Sequence, residues 1–514
     1  MAKFNLSAIM ADLRNRIPGF SSNQYASLDT ASSTVDIAGD DEPRDTPWGA
    51  RNRRLLKMAT LALAAVLVLY MVFGYGFDHY RTHPEFRSSH LWGQYSPFFS
   101  VPSTIDPMVP AGCTVTFAQV LSRHGARDPT FYRSQAYNAT IAKIQASATK
   151  FGKGYEFLKD LGYTLGADQL TAYGIEQMLE QGRVVAELYG HLADDALPFI
   201  RASGQERVID SANNFARGFY GQLVAGEGRT VPDEEEYLSS ILILPEHGGF
   251  NNTLDHGTCT RFEKGPDSEL GDETRNAFAD KFTPPIIKRL HENLGAMGFT
   301  RDDAIAMMDL CPFYTVANPQ ANISDFCHLF THDEWKSYDY YQSLGKFYGY
   351  GNGNPLGPTQ GVGFVNELIS RLTRRPVDDH TTTNTTLTGS PKTFPLDRSL
   401  YADFSHDNTM VSIYSALGLY NGTDPLPVSE RISPRKAHGF SASWAVPFAG
   451  RIFVEKMVCS PADDELVRVL VNDRVVPLQG CNADKLGRCK LGKFVESLSF
   501  AREGGYWHRC FEEE

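Results

Sequence analysis

The chain lacks features that would mark several common classes of protein. None of its eight cysteines forms a Cys-x-x-Cys pair, so a structural zinc site is not expected. No internal repeat is visible, so a repeat architecture is not expected either. Positive charge is in deficit: the formal net charge is −12, which argues against nucleic acid or an anionic membrane surface as the main partner. A site for phosphate groups would have to concentrate its positive charge locally, against this overall field.

The chain does contain a long hydrophobic run near its N-terminus. Met58 to Phe77 is a run of 20 uncharged, mostly apolar residues, enough for a helix of roughly 30 Å, which matches the hydrocarbon of a bilayer. Arg51, Arg53, Arg54 and Lys57 precede the run, so the positive-inside rule places the N-terminus in the cytoplasm. We interpret the run as a type II signal anchor. A cleaved signal peptide is the alternative, although the long leading segment opposes it.

This anchor divides the chain into four parts. Residues 1–57 are rich in Ser, Asp, Thr and Asn, which predicts a disordered cytoplasmic tail. Residues 58–77 form a single transmembrane helix in the lipid bilayer, 78–109 a stalk, and 110–514 the folded domain. The chain is therefore expected to be a single-pass membrane protein of the secretory pathway, with 110–514 in a lumen or outside the cell.

Cysteines and glycosylation sequons agree with that compartment. All eight cysteines lie beyond the anchor, which argues for disulfide bonds in an oxidising lumen, although spacing alone leaves 105 connectivities open. Asn-x-Ser/Thr sequons beyond the anchor predict glycosylation. They stand at Asn138, Asn251, Asn322, Asn384 and Asn421.

The segment Arg123-His124-Gly125-Ala126-Arg127-Asp128-Pro129 follows an apolar, strand-like run from Val115 to Leu121. It places one imidazole between two guanidinium groups, which are always charged and bind phosphate oxygens in a fork geometry. A neutral imidazole nitrogen in such a position can attack phosphorus. A surface Arg-His-Arg cluster in a turn is the alternative.

A second candidate segment, Ser405-His406-Asp407-Asn408, directly follows the short apolar stretch from Ser399 to Phe404. Strand-like segments alternate with helical patterns along the chain, which predicts an α/β sheet. Open α/β sheets place their chemistry at the C-terminal ends of strands. Both candidate segments stand at such ends.

In this order, the two motifs resemble the histidine phosphatase superfamily, and specifically fungal histidine acid phosphatases of the phytase type. The resemblance extends from about Pro110 to Cys510. It is carried by the segments Pro110–Ser122, Leu165–Asp168, Phe199–Gly204, Asn251–Asp255, Gly351–Gly361 and Val469–Pro477. It implies that 110–514 is a phosphoglycerate mutase-like α/β sheet domain with a mostly helical smaller subdomain inserted roughly within 131–310. It also implies the disulfides Cys113–Cys459, Cys259–Cys510, Cys311–Cys327 and Cys481–Cys489.

The resemblance also assigns roles to residues of a phosphoric monoester hydrolase that needs no metal or cofactor. His124 would attack phosphorus to give a phosphohistidine, and Asp407 would donate the proton to the leaving oxygen, which implies an acidic optimum. The phosphate would be bound by Arg123, Arg127, Arg201 and His406. Arg207 is instead expected to be a surface salt-bridge partner, and His332 to cap a helix.

Phytate (myo-inositol hexakisphosphate) is the substrate that the resemblance implies, because phytase-type members line the cleft mouth with extra Lys and Arg. Arg133 and Lys346 match two of those basic positions, but Gly345 and Ala136 stand where close relatives carry Lys. A broad acid phosphatase with little phytate preference therefore stays open. So do a phosphotransfer mutase of the same superfamily, which Asp407 and the disulfides oppose, and a catalytically inactive anchored binding module, which the complete set of site residues opposes.

Overall fold

The computed structural model describes residues 88–461 and 464–512. The predicted tail 1–57, the predicted anchor 58–77 and the first part of the predicted stalk, 78–87, lie outside the described residues. Within the part of the chain that is described, no helix is both long and apolar enough to cross a membrane.

A mixed sheet forms the centre of the described domain. Its strands are β1 (Cys113–Arg123), β2 (Phe199–Ser203), β3 (Leu242–Leu244), β4 (Leu400–Ser405), β5 (Arg451–Cys459), β6 (Asp464–Val471), β7 (Arg474–Val475) and β8 (Arg488–Lys490). The strand order is β3-β2-β4-β1-β5-β6-β7, and β8 pairs with β6. Strands β3, β2, β4 and β1 run parallel, whereas β5 to β8 pair antiparallel. The predicted α/β sheet is confirmed.

Helices flank this sheet and fill the connections between its strands. They are α1 (Phe131–Ser147), α2 (Ala172–Tyr189), α3 (Glu206–Glu227), α4 (Glu234–Ser239), α5 (Thr260–Lys264), α6 (Leu270–Phe282), α7 (Pro284–Leu294), α8 (Arg301–Ala317), α9 (His332–Gly349), α10 (Val362–Thr373), α11 (Thr385–Thr388), α12 (Asp407–Ala416), α13 (Ala442–Ala445), α14 (Leu491–Ser497) and α15 (Ser499–Arg502). Short 3-10 helices lie at Ser89–Leu91, Gly93–Tyr95, Glu156–Lys159, Gly190–Ala193, Asp325–Leu329, Pro358–Gly361, Gln479–Cys481 and Trp507–Phe511.

Side-chain alternation along the strands separates two layers, because successive residues of a strand point to opposite faces. On one face, Val120 and Ala202 belong to an apolar cluster with α2 and α3. On the other face, Leu121 and Tyr401 belong to a larger cluster that continues into the helices between β3 and β4. The residues of one strand therefore meet different environments at odd and even positions.

The helical layer is assembled differently from the insertion predicted within 131–310. That range contains β2 and β3, together with α2 and α3, which pack on the sheet. The larger cluster contains α1 and the group α6 to α9, which reaches residue 349, and also α10 and α12, which lie beyond the predicted range. The sequence pattern predicts helices there but does not tell which of them pack on the sheet.

The stalk interpretation is wrong for residues 88–109, which are part of the folded domain. Trp92 is fully buried and lies against Trp335 of α9, with ring centroids 6.1 Å apart. The carbonyl of Gln94 accepts a hydrogen bond from the Arg123 guanidinium. Buried tryptophan and polar contacts to a site residue are features of a domain segment rather than of a spacer.

The four disulfide pairs that the resemblance implied are all present. They are Cys113–Cys459, Cys259–Cys510, Cys311–Cys327 and Cys481–Cys489, and no described cysteine is free. Cys113–Cys459 joins β1 to β5 next to each other in the sheet.

Candidate active site

Two neighbouring strand ends bring the candidate histidines together. β1 and β4 pair in parallel with Arg123 opposite Ser405, so the residues that follow them, His124 and His406, emerge at the same edge of the sheet. Their ring centroids are 5.7 Å apart. This is the arrangement expected where the carboxyl ends of parallel strands meet.

The protonation state of His124 follows from its surroundings. Its Nδ1 lies 2.8 Å from the carbonyl oxygen of Gly125, so Nδ1 carries the hydrogen and Nε2 keeps its lone pair. Burial, followed by the charges of Arg123, Arg207 and Arg127, holds the pKa of His124 well below its usual 6.5. His124 is therefore a neutral imidazole with a free nitrogen.

Three guanidinium groups lie near enough to His124 for their charges to lower its pKa. Arg123 ends β1, Arg127 lies in the turn that follows, and Arg207 lies in the first turn of α3. Burial, with Arg127 adding to it, lowers the pKa of Arg123 and of Arg207 to about 10 each. The Nε atoms of all three are buried and, among the described residues, have no hydrogen-bond partner. Concentrated positive charge with unfilled donors fits a dianionic ligand.

Arg201 is not in this group, contrary to the sequence-based prediction. Its Nε lies 2.8 Å from Asp403 Oδ1, and its Nη2 lies 2.7 Å from Glu367 Oε2. Arg201 and Asp403 are opposite each other on β2 and β4, and both are buried on the sheet face where Arg371 of α10 also bonds Asp403. Two carboxylates therefore neutralise Arg201 away from the strand ends.

Arg207, which the sequence analysis interpreted as a surface salt-bridge partner, lies close enough to His124 to lower its pKa. It does pair with exposed Asp168, at 3.4 Å, as a salt-bridge partner would. Only 13% of its side chain is exposed, however, and its charge acts on the pKa of His124. Its position offered a signal, because it follows the end of β2 as His406 follows the end of β4, whereas Arg201 lies inside its strand.

His406 is held by an acidic neighbour. Its Nε2 lies 2.9 Å from Glu246 Oε1, in the loop after β3. Burial would raise the Glu246 pKa, but the interaction with His406 and hydrogen bonds from Ser203 and Gln205 together lower it. Ligand atoms of Glu246, Asp255 and His406 all lie within 4.8 Å of one another, so these side chains could also hold a cation. Glu246 was not among the predicted site residues.

Asp407 lies between two cations. Its Oδ2 is 2.7 Å from the Lys346 ammonium and 3.5 Å from Arg123 Nη2. Burial alone would raise the Asp407 pKa, but Arg123 and Lys346 hold it well below its usual range. Lys346 was predicted at the cleft rim; it is instead buried against Asp407 and Asn408, because α9 directs it toward the start of α12.

Arg133 is exposed on α1, and its charge acts on the pKa of Tyr95 and of Asp309. His332 is the first residue of α9, but the capping residue is Thr331, whose side chain accepts a hydrogen bond from the Glu334 backbone. Of the sequon asparagines, Asn138, Asn322 and Asn421 are exposed, and Asn251 and Asn384 are half-buried. Glycosylation stays a prediction.

Known proteins of similar sequence and structure identify the family. Residues 114–472 match the model of the histidine phosphatase superfamily, branch 2. Phytase A of Aspergillus fumigatus is 52% identical over 428 residues, covering 82% of this chain and 91% of that protein. Phytase A of Emericella nidulans is 52% identical over 429 residues, covering 82% and 90%.

Solved structures agree on the fold. The phytase from D. castellii has a TM-score of 0.66 at 21% identity, covering 84% of this chain and 88% of that one. The multiple inositol polyphosphate phosphatase of Bifidobacterium longum, in complex with inositol hexasulfate, has a TM-score of 0.53 at 14% identity, covering 80% and 97%.

The chain therefore belongs to branch 2 of the histidine phosphatase superfamily. Within this class of hydrolases, it is a histidine acid phosphatase of the fungal phytase type. The resemblance seen in the sequence is confirmed.

Proposed function

We propose that the protein hydrolyses phosphomonoesters, phytate among them, through a phosphohistidine on His124. One observation carries the proposal: a neutral imidazole whose Nε2 is unprotonated lies near three guanidinium groups, and the Nε donors of these groups have no partner among the described residues. Such a cluster would bind the phosphoryl oxygens, and charge neutralisation of those oxygens is the main requirement of phosphoryl transfer. Arg207 replaces Arg201 as the third phosphate-binding arginine.

The reaction would proceed in two displacements. The lone pair of His124 Nε2 forms the N–P bond while the ester P–O bond breaks, and the leaving oxygen takes a proton from Asp407. Water then attacks phosphorus, Asp407 accepts the proton of that water, and the N–P bond breaks to release phosphate. His406, oriented by Glu246, would donate a hydrogen bond to the phosphoryl oxygens.

The ionised state of Asp407 constrains how it obtains its proton. Without substrate, Arg123 and Lys346 hold this carboxyl deprotonated. A bound phosphate would compete for both cations, which would raise the Asp407 pKa toward its usual value. Because the second pKa of a phosphate ester is near 6, substrate bound in acid carries a proton that Asp407 can receive. An acidic optimum is therefore expected from the complex rather than from the free enzyme.

Phytate is proposed as substrate because highly similar relatives bear the name phytase. Exposed Arg133 on α1 would also suit a polyanion. The alternative is a broad acid phosphatase with little phytate preference. The test is release of phosphate by the full-length protein from phytate and from p-nitrophenyl phosphate, at pH 5 and pH 7, with and without EDTA. Hydrolysis of both at pH 5, unaffected by EDTA, is expected; hydrolysis of neither would refute the proposal.

We further propose that the domain is anchored by 58–77 and faces a lumen or the cell exterior. The uncharged run, the basic residues before it and the four disulfides support this topology. Full-length protein should remain in membranes after alkaline carbonate washing. In sealed vesicles whose cytoplasmic face is outward, an N-terminal tag should be accessible to protease. Mature chains that begin after Phe77 would replace the anchor by a cleaved signal peptide.

A further inference from the structure

We propose that Arg275 is a substrate-binding residue of the outer cleft, which contacts a phosphate group of a polyphosphorylated substrate other than the one being hydrolysed. This inference rests on the proposed phosphatase function. Arg275 lies on α6, in none of the motifs discussed above, and it is placed by the packing of α6 on α9.

Glycines bring these two helices unusually close. A Cβ on Gly271 of α6 would lie 2.8 Å from Gly349 Cα and 2.9 Å from the Gly345 carbonyl oxygen, both on α9. A Cβ on Gly345 would lie 3.1 Å from Arg275 Cδ. The bare backbone at Gly345 therefore makes the room through which the Arg275 side chain extends. The deficit of charge predicted from Gly345 is offset by this arginine.

The Arg275 side chain points toward the same region as the other cleft residues. Its guanidinium carbon lies 5.4 Å from the ring centroid of Tyr341 on α9. The charges of Arg133 and Arg275 both lower the pKa of Tyr341 and of Asp309. Tyr95 in turn raises the pKa of both arginines. Since Arg127 and Asp407 also act on the pKa of Tyr95, Arg275 belongs to the electrostatic surroundings of the site.

Two adjacent residues of α9 connect Arg275 to the reaction centre. Gly345, which Arg275 crosses, precedes Lys346, whose ammonium is 2.7 Å from Asp407. Arg275 is also among the charges that lower the Lys346 pKa, after burial. A polyanion with one phosphate at His124 would therefore meet Arg275 with another.

The present partners of Arg275 leave it available. Its Nη2 pairs with Asp272 at 2.5 Å, three residues earlier on the same helix, and that carboxylate is 54% exposed. The Arg275 side chain itself is 19% exposed, so the pair lies where the fold meets solvent and an anion can reach it. The Nε of Arg275 is buried and, within the described residues, has no hydrogen-bond partner. A phosphate group can therefore replace Asp272 as the main counter-ion.

The test uses the full-length protein and competitive inhibition of p-nitrophenyl phosphate hydrolysis. Two inhibitors are compared: inorganic phosphate, which probes only the centre, and myo-inositol hexasulfate, a polyanion that is not hydrolysed. Arg275→Gln should raise the inhibition constant of hexasulfate roughly tenfold, in proportion to the loss of a charged hydrogen bond. The inhibition constant of phosphate and the KM for p-nitrophenyl phosphate should stay within about twofold, and the hexasulfate effect should shrink with added salt.

Three further variants make the result unambiguous. Arg275→Lys should restore much of the affinity. Gly345→Ala should weaken hexasulfate binding in the wild-type background and have little further effect in Arg275→Gln, because its methyl group acts by displacing the arginine. Arg217→Ala removes an arginine of α3 that pairs with Glu234 of α4. This variant controls for net charge and should leave both inhibition constants unchanged.

An Arg275→Gln enzyme that hydrolyses p-nitrophenyl phosphate normally and binds hexasulfate as tightly as wild type would overturn the inference alone. A wild-type protein that fails to hydrolyse p-nitrophenyl phosphate would instead overturn the proposed function on which the inference rests.

Discussion

Among single residues, the buried arginines differ in how completely neighbouring carboxylates neutralise them. Arg201 bonds two buried carboxylates, Asp403 and Glu367. Arg123 and Arg207 each pair with one carboxylate at 3.4–3.5 Å, and their Nε atoms and that of Arg127 have no partner among the described residues. An arginine that is bonded to two carboxylates stabilises the fold, because a buried charge requires a counter-ion. An arginine with an unbonded donor can bind an incoming anion.

This difference predicts opposite phenotypes for two arginines six positions apart. Arg207→Ala should lower kcat for p-nitrophenyl phosphate by about 10²–10³ with little change in Tm, since it removes a donor to the transition state. Arg201→Ala should lower the free energy of unfolding by about 3–5 kcal/mol, because Glu367 and Asp403 lose a buried counter-ion. Steady-state kinetics and urea unfolding of both variants decide the matter. Exchanged phenotypes would restore Arg201 as the phosphate-binding residue.

Asp407→Asn should slow the reaction in a way that depends on the leaving group. An amide cannot donate the proton, so an alkyl phosphate, whose leaving oxygen is strongly basic, should lose more activity than p-nitrophenyl phosphate. Rates for the two esters are compared at one pH with wild type as reference. Equal losses for both would count against Asp407 as the general acid.

At the scale of elements, the nucleophile turn is fixed by close contact with α2. The backbone amide of Ala126 donates to Gln177 Oε1 at 2.9 Å, and the amide of Thr171, which caps α2, donates to the Ala126 carbonyl at 3.0 Å. A Cβ on Gly174 would overlap that same carbonyl. The first turns of α2 thus position the segment that carries His124.

Gly174→Ala should therefore affect stability and catalysis together. The added methyl group must push α2 or the turn aside, and overpacking of this kind costs roughly 1–3 kcal/mol. The free energy of unfolding, measured in urea, and kcat should both fall. Gly221→Ala on α3, where a Cβ has open space, serves as the control. A Gly174→Ala enzyme with normal stability and normal kcat would show that the contact does not position the turn.

The sequence was sufficient for features that depend on order along the chain. Because His124 and His406 each follow an apolar strand, their meeting at one sheet edge could be predicted, as could the sheet itself. Features that depend on the direction of a side chain could not be predicted from the sequence. Arg201 and Arg207 differ in being inside a strand and after it, and Lys346 is directed inward by α9. Arg275 reaches the cleft only because α6 and α9 pack closely, which no local pattern reveals.

At the scale of the whole molecule, an acidic protein carries a cationic site. The net charge is −12, yet Arg123, Arg127 and Arg207 surround a histidine that is held neutral. Repulsion within this cluster is a cost to the fold that a bound phosphate would relieve. Inorganic phosphate should accordingly stabilise the protein, in contrast to what its overall charge suggests.

The buried neutral state of His124 makes stability depend on pH. Unfolded His124 takes up a proton below its usual pKa of 6.5, whereas the folded pKa is well below that value. The contribution of neutral His124 to the free energy of unfolding is thus complete above pH 6.5. This contribution is lost as the pH falls, by up to about 1.4 kcal/mol per pH unit. The depressed pKa of Asp407 acts in the same direction at lower pH. His124→Asn should flatten the stability profile between pH 6.5 and pH 5; an unchanged slope would mean that His124 is protonated in the fold.

Phosphorylation of His124 during turnover can be detected by trapping the phosphoenzyme. The full-length enzyme is mixed with a radiolabelled phosphomonoester, quenched with denaturant at alkaline pH, and digested for mapping. We expect label on the peptide that contains His124. The label should be stable in alkali, released by acid, and missing from His124→Ala, which should be folded and inactive. Acid-stable label, label on another residue, or a His124→Ala enzyme that still turns over would contradict this expectation.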